Sequence, residues 1–158
     1  GAGDPLAPAD RARALAGPSA AHDLAVQHYV ATITGARPGV AMDVEGIQHQ
    51  PDAITETHTC FEIELNQKSD SRIYRTFLFY AHAIGTGTVK DVRFVFRDPS
   101  LTEAYRQRFL ETEWPDVVYS PERRRYLTRE PFTVDPEHPV RAAFNFISEI
   151  RLWPFPPN

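Results

Sequence analysis

Cysteine is nearly absent from this sequence of 158 residues, since Cys60 is the only one. No intrachain disulfide can form, so the fold must rely on its hydrophobic core. No apolar run reaches the length of about 18 residues that a spanning helix needs, which predicts no membrane span. Positive charge is not in excess either, because 17 Lys and Arg stand against 21 Asp and Glu, a net charge of -4. This balance predicts against nucleic acid as a partner, and the arginine run 123–125 is interpreted as a solvated, partly paired surface.

Motifs of catalysis and of metal binding are absent as well. The sequence has no His-x-x-x-His, Cys-x-x-Cys or His-Glu-x-x-His spacing and no Gly-x-Ser-x-Gly. His58 and His82 are interpreted as solvated or hydrogen-bonded residues of neighbouring strands. Gly85-Thr86-Gly87 is predicted to be a hairpin turn, because a phosphate cradle needs a following helix and a strand is predicted there. We therefore predict no metal, no cofactor and no enzymatic activity.

The chain is predicted to be one domain with a loose start. Residues 1–18 are rich in Gly, Ala and Pro and are predicted to be a flexible tail, with a single domain over 19–158. Because the chain starts at Gly1, we expect that a leader has been removed, and both a secreted and a cytoplasmic location are compatible with the sequence. Residues 19–34 are predicted to form an amphipathic helix, with Ser19 as N-cap and Gly35 as the residue that ends it.

A change of period from 3.6 to 2 follows this helix. Segments 40–48, 57–66, 72–84 and 89–97 are predicted to be strands, and the short turns between them predict an antiparallel meander. Further helices are predicted over 100–111, with Ser100 as N-cap, and over 136–152, while 114–132 is predicted to be irregular. The fold class is therefore α+β: an N-terminal helix packed on a curved four-stranded antiparallel sheet, followed by two C-terminal helices.

The order of helix and four-strand meander resembles that of cystatin-like folds. Within the helix, Leu24-Ala25, Gln27-His28-Tyr29 and Gly35 resemble the first helix of the latexin family. The strand 91–96 and the helix 136–152 resemble the last strand of a cystatin-like half and the helix that joins the two halves of latexin. The resemblance covers roughly residues 18–153 in order of elements. It implies one cystatin-like half, and a function in binding peptidases. The inhibitory loop of cystatins, Gln-x-Val-x-Gly, is replaced here by the sequence QHQPD at 48–52.

The first functional hypothesis is a non-enzymatic protein-binding domain, either a latexin-like peptidase inhibitor or a relative that has lost inhibition. Two hairpin loops are expected to emerge at one end of the sheet as a wedge that contacts the partner. Trp153, which lies among prolines, is a further expected anchor. The predicted partner-binding residues are Gln50, Pro51, Asp52, Gly85, Thr86, Gly87 and Trp153.

Two alternatives stay open. One is a pocket protein of the transport-factor-2-like class, a small-molecule binder or a dehydratase or isomerase, with His28, Tyr29, Asp43 and His82 as the residues to be found in a cavity between helix and sheet. The other is a structural subunit that forms a homodimer through the open face of its sheet.

Overall fold

The computed structural model describes residues 18–33 and 35–149. The predicted tail lies outside this range except for Pro18, and so does Trp153. The helices of the described residues are α1 (Pro18–Thr32), α2 (Asp70–Gly85), α3 (Pro99–Phe109) and α4 (Val140–Ala143). Their strands are β1 (Ala36–Pro38), β2 (Met42–Val44), β3 (Ile47–His49), β4 (Ala53–Thr55), β5 (Thr59–Glu64), β6 (Asp91–Phe96), β7 (Glu113–Ser120), β8 (Arg125–Thr133) and β9 (Phe144–Ser148).

Five strands form one mixed sheet in the order β1-β4-β5-β6-β9. The pairs β1–β4 and β4–β5 are antiparallel, whereas β5–β6 and β6–β9 are parallel. Parallel neighbours need a crossover connection, and α2 provides it between β5 and β6. The hairpins β2–β3 and β7–β8 form separate two-stranded sheets.

Helices cover both faces of the central strands. On one face, Ala25 of α1 packs against Phe61, Ile63 and Val95. On the other face, α2 and α3 contribute to an aromatic core that includes Phe77, Phe94, Phe96, Tyr105, Phe109, Trp114 and Phe144. All six residues of β5 are buried. Both faces of β5 are thus covered, and the homodimer through an open sheet face stays a prediction.

The prediction of a strand over 72–84 is wrong, because this segment lies in α2. Ile73, Phe77 and Tyr80 are buried at helical spacing, and Asp70 lies in the first turn, where a negative charge is favourable. The aromatic and β-branched composition had favoured a strand. With a helix at this place, β6 pairs parallel to β5, so the sheet is not the predicted four-stranded antiparallel one.

The C-terminal part also differs from the prediction. Segment 114–132, predicted to be irregular, forms most of the β7–β8 hairpin, which is fixed to the core by Trp114 at 0% exposure. The helix predicted over 136–152 is reduced to the four residues of α4, and the chain continues as the edge strand β9. In β9, backbone pairing with β6 outweighs the helical spacing of the apolar residues.

Several predicted elements are confirmed. The helices predicted over 19–34 and 100–111 are α1 and α3, and the strands predicted over 57–66 and 89–97 are β5 and β6. The N-cap of α3 is Asp98 rather than Ser100, because Asp98 Oδ1 accepts the Leu101 N–H at 2.8 Å. The strand predicted over 40–48 divides into β2 and β3 at Glu45-Gly46, whose φ angles are 53° and 79°.

Two general expectations are met within the described residues. None of their helices is long and apolar enough to cross a membrane. Cys60 is a free, buried thiol, and burial raises its pKa to about 12, so it stays protonated and unreactive at neutral pH.

Candidate functional site

The predicted loop Gln50-Pro51-Asp52 connects β3 to β4 and is held by the segment after β1. The Gln50 amide donates to the Gly39 carbonyl at 3.1 Å, and the Gly39 N–H donates to the Asp52 carbonyl at 3.4 Å. Pro51 is buried, whereas Gln50 is exposed. These contacts set the position of Asp52 at the start of β4.

The second predicted loop, Gly85-Thr86-Gly87, ends α2 and is not part of a β-hairpin. The Thr86 N–H donates to the His82 carbonyl, as is typical of a helix C-terminus, and the Lys90 N–H that follows donates to the His58 carbonyl. This places the loop beside the β4–β5 turn. Asp52, in contrast, is bonded to Phe61 and Ile63, about four residues or ~13 Å further along β5. The structure thus separates the two loops that the wedge prediction places together.

The residues predicted for a cavity between helix and sheet do not meet in one. His28 and Asp43 are exposed, and Tyr29 packs edge-on against Phe61 with ring centroids 5.5 Å apart. His82 lines a surface cavity of about 360 Å³ beside the β7–β8 hairpin, where its ring contacts Phe132.

The structure instead brings together three carboxylates, Asp52, Glu62 and Glu64, which we call the acidic cluster. Glu62 lies on the α2 side of β5 with its side chain 3% exposed. Its Oε2 accepts a hydrogen bond from the Tyr80 hydroxyl and lies 3.0 Å from His49 Nε2. Burial raises the pKa of Tyr80, and the charge of Glu62 raises it further, so the phenol remains a hydrogen-bond donor.

Glu64 is the second buried carboxylate, at the C-terminal end of β5, and its side chain is also 3% exposed. Lys68 Nζ pairs with its Oε1 at 2.9 Å, and the Tyr105 hydroxyl donates to its Oε2 at 3.3 Å. Burial raises the pKa of Glu64 to about 7, an effect that Lys68 opposes and that Glu62 and Asp52 reinforce. Glu64 is therefore a carboxyl group that exchanges its proton near neutral pH.

Asp52 completes the cluster at the edge between the two helical layers. Its Oδ2 accepts the Ile63 N–H at 2.7 Å and lies 3.3 Å from His22 Nε2 of α1. The hydrogen bond to Asp52 raises the pKa of His22. Burial lowers the pKa of His49, but the hydrogen bond and charge of Glu62 outweigh burial, so this pKa is raised as well. Both histidines therefore accept a proton more readily than a free imidazole does.

A groove of three adjoining cavities leads from the acidic cluster along α2. The first, about 590 Å³, is lined by Glu64, Lys68 and Arg72, among others. The second, about 140 Å³, shares Lys68 and Arg72 with the first and adds Arg75. The third, about 230 Å³, shares Arg75 with the second and reaches Tyr119 of β7. Among the described residues, neither Arg72 nor Arg75 forms an ion pair, so the groove presents free positive charge beside a buried negative one.

Carboxylate oxygens are the ligands that Mg²⁺ and Mn²⁺ prefer, so the donor chemistry of the acidic cluster fits a divalent cation. Within residues 18–33 and 35–149, however, no three His, Cys, Asp or Glu side chains are grouped to hold a metal ion. Asp52, Glu62 and Glu64 are each bonded to the protein partners described above. These three residues would hold a cation after releasing those partners.

Sequence reasoning missed Glu62, Glu64 and Lys68. Within the predicted strand 57–66, the alternation of Glu62 and Glu64 with Phe61 and Ile63 places the glutamates on the face opposite to these apolar residues. A parallel neighbour and a covering helix bury both faces. The signal in the sequence was two acidic residues inside a strand rich in apolar residues, followed by a lysine four residues after the second.

Comparisons of the chain with models of protein families, with curated proteins and with solved structures found no match.

Proposed function

We propose that the acidic cluster, together with Lys68, is the catalytic centre of a hydrolase that cleaves phosphodiesters. The observation that carries the proposal is the burial of Glu62 and Glu64, each 3% exposed, on one side of the central strand. Burying like-charged carboxylates lowers stability, and a buried carboxyl of raised pKa beside a cavity is typical of functional sites.

The charge of the groove supports an anionic substrate. Lys68, Arg72 and Arg75 line successive cavities that open from Glu64. Lysine and arginine side chains match phosphate oxygens in charge and in hydrogen-bond geometry. A phosphodiester in the groove would place its phosphorus near Glu64, which lines the first cavity.

In this mechanism Glu64 is the general base, since a pKa of about 7 suits proton transfer near neutral pH. Glu64 takes a proton from the attacking water, whose oxygen forms a bond to phosphorus. The bond from phosphorus to the leaving oxygen breaks, and the leaving oxygen takes up a proton from solvent. Lys68, 2.9 Å from Glu64, stabilises the negative charge that develops on the phosphoryl oxygens. A divalent cation, if Asp52, Glu62 and Glu64 held one, would supply Lewis-acid polarisation of a phosphoryl oxygen.

The test is hydrolysis of bis(p-nitrophenyl) phosphate and of a labelled oligonucleotide, each in EDTA, Mg²⁺ and Mn²⁺. We expect wild-type hydrolysis under at least one condition and a loss of at least about a hundredfold in Glu64→Gln, which removes the base but keeps the shape. Glu56→Gln is the matched control, because Glu56 is an exposed glutamate of the β4–β5 turn.

Glu56→Gln is expected to hydrolyse both substrates at the wild-type rate. Hydrolysis of neither substrate by the wild type, in any of the three conditions, overturns the proposal. Equal rates for Glu64→Gln and wild type overturn it as well.

Protein binding, as predicted from the sequence, is a second proposal. The specific observation in its favour is Val40, an apolar side chain 63% exposed next to the segment that holds the Gln50-Pro51 loop. The test is titration of a metallocarboxypeptidase and of a papain-type cysteine protease with the protein, following residual activity. Stoichiometric inhibition that Val40→Asp removes is the expected result, and full residual activity with an excess of the protein contradicts the proposal.

A further inference from the structure

The β7–β8 hairpin carries an exposed concentration of positive charge. Arg123, Arg124 and Arg125 lie at its tip and at the start of β8, and all three are exposed. Among the described residues none of the three forms an ion pair, and neither Glu122 nor Glu130 pairs with them. Unpaired arginines on a rigid ribbon are suited to phosphate groups, which they can bind with two parallel hydrogen bonds.

Two exposed aromatic rings lie on the same hairpin, next to the arginine run in the sequence. Tyr119 and Tyr126 are opposite each other in the register of the hairpin, with ring centroids 5.2 Å apart. They are 48% and 62% exposed, so neither ring is needed to fill the core. Exposed tyrosines next to cationic side chains are the arrangement on which unpaired bases stack.

The hairpin is fixed in position and continuous with the groove. Trp114 at its base is fully buried and stacks on Phe132 of the facing strand. Tyr119 lines the same cavity as Arg75, and that cavity adjoins the two that lead to Glu64. Adjoining cavities thus run from Tyr119 of the hairpin to Glu64, with Arg75, Arg72 and Lys68 along them.

We propose that the β7–β8 hairpin binds single-stranded nucleic acid and that the groove along α2 leads the strand to the acidic cluster. The arginines would contact phosphates, and Tyr119 and Tyr126 would stack on bases. This inference names the substrate class of the proposed hydrolase and in that respect rests on the proposed function. Single strands fit better than a duplex because only unpaired bases offer their faces to the rings.

The test is fluorescence anisotropy of a labelled single strand of DNA with the Arg123→Gln/Arg124→Gln/Arg125→Gln variant. We expect the affinity at low salt to fall at least about tenfold. The slope of log K against log salt should flatten by roughly two, because each lost phosphate contact reduces the magnitude of the slope by about 0.7. The matched control, Arg37→Gln/Lys90→Gln/Arg106→Gln, removes three exposed cations elsewhere and is expected to bind like wild type.

A second variant, Tyr119→Ser/Tyr126→Ser, separates stacking from charge. It is expected to lose about tenfold in affinity with the salt slope unchanged. The inference is overturned if the wild type does not bind the single strand, if it binds the duplex more tightly, or if the hairpin variant loses no more affinity than the control.

The two proposals fail in different ways. If the wild type hydrolyses a substrate but the hairpin variant binds the single strand normally, the proposed catalytic centre is retained. The hairpin then has no part in binding the substrate. The opposite outcome is binding that depends on the hairpin and is as tight in Glu64→Gln as in the wild type, without hydrolysis of either substrate. It retains the nucleic-acid site and overturns the proposed hydrolase.

Discussion

Glu64, the proposed general base, also makes the stability of the fold depend on pH. Its raised pKa means that the folded protein holds a proton that the unfolded chain releases at lower pH. The stability it gives is therefore present at low pH and decreases as pH rises from about 4.5 to about 7. The raised pKa values of His22 and His49 continue this trend, because stability from a partnered histidine is lost as pH rises through the raised value.

Glu64→Gln is expected to weaken this pH dependence. Between about pH 5 and about pH 8, the wild type should lose on the order of 2–3 kcal/mol more free energy of unfolding than the variant, because the glutamine carries no charge to bury. Urea denaturation at both pH values measures the difference. Glu56→Gln is the control and should follow the wild type, and parallel pH dependences of wild type and Glu64→Gln would contradict the assignment of a buried, ionising Glu64.

At the scale of elements, the spacing of apolar residues in the sequence identified the helices and strands that do not depend on pairing between distant segments. α1, α3 and β6 follow from apolar spacing, whereas the predicted N-caps Ser19 and Ser100 both lie inside their helices. α2 was missed because its many aromatic residues fit strand propensity as well as helical spacing, and only packing between β6, α3 and β7 decides between them. The β7–β8 hairpin and β9 depend on pairing between distant segments, which local patterns do not contain.

The loop that positions Asp52 depends on the close approach of two segments. A Cβ at Gly39 would lie 2.0 Å from the Pro51 carbonyl oxygen, so Gly39→Ala must move the backbone next to Asp52. We expect a loss of about 1–3 kcal/mol in the free energy of unfolding, together with reduced phosphodiester hydrolysis. Denaturation and rate measurements check both.

Gly85→Ala is the matched control for this loop. Gly85 has no atom within 4 Å of the added Cβ and ends a helix, so alanine should leave stability unchanged or raise it slightly. If Gly39→Ala were as stable and as active as Gly85→Ala, the described contact with Pro51 would be wrong.

At the scale of the whole molecule, the α+β class could be predicted, whereas the site could not. Asp52 belongs to a predicted loop, whereas the sequence pattern places Glu62 and Glu64 only on the face opposite to Phe61 and Ile63. Their burial depends on the parallel partner β6. The net charge of -4 argued against nucleic acid. Charge summed over the chain does not reveal that Arg72, Arg75 and the arginines of 123–125 lie on a groove and a hairpin joined to it.

The measurement that tests the catalytic role of the acidic cluster most directly is the pH dependence of phosphodiester hydrolysis by wild type and Glu64→Gln. We predict that the wild-type rate rises with pH to a plateau with an apparent pKa of about 7, the value for Glu64, and that this limb is absent from any residual rate of the variant. A residual rate of Glu64→Gln that rises with the same apparent pKa would contradict the account, because the base would then be another group.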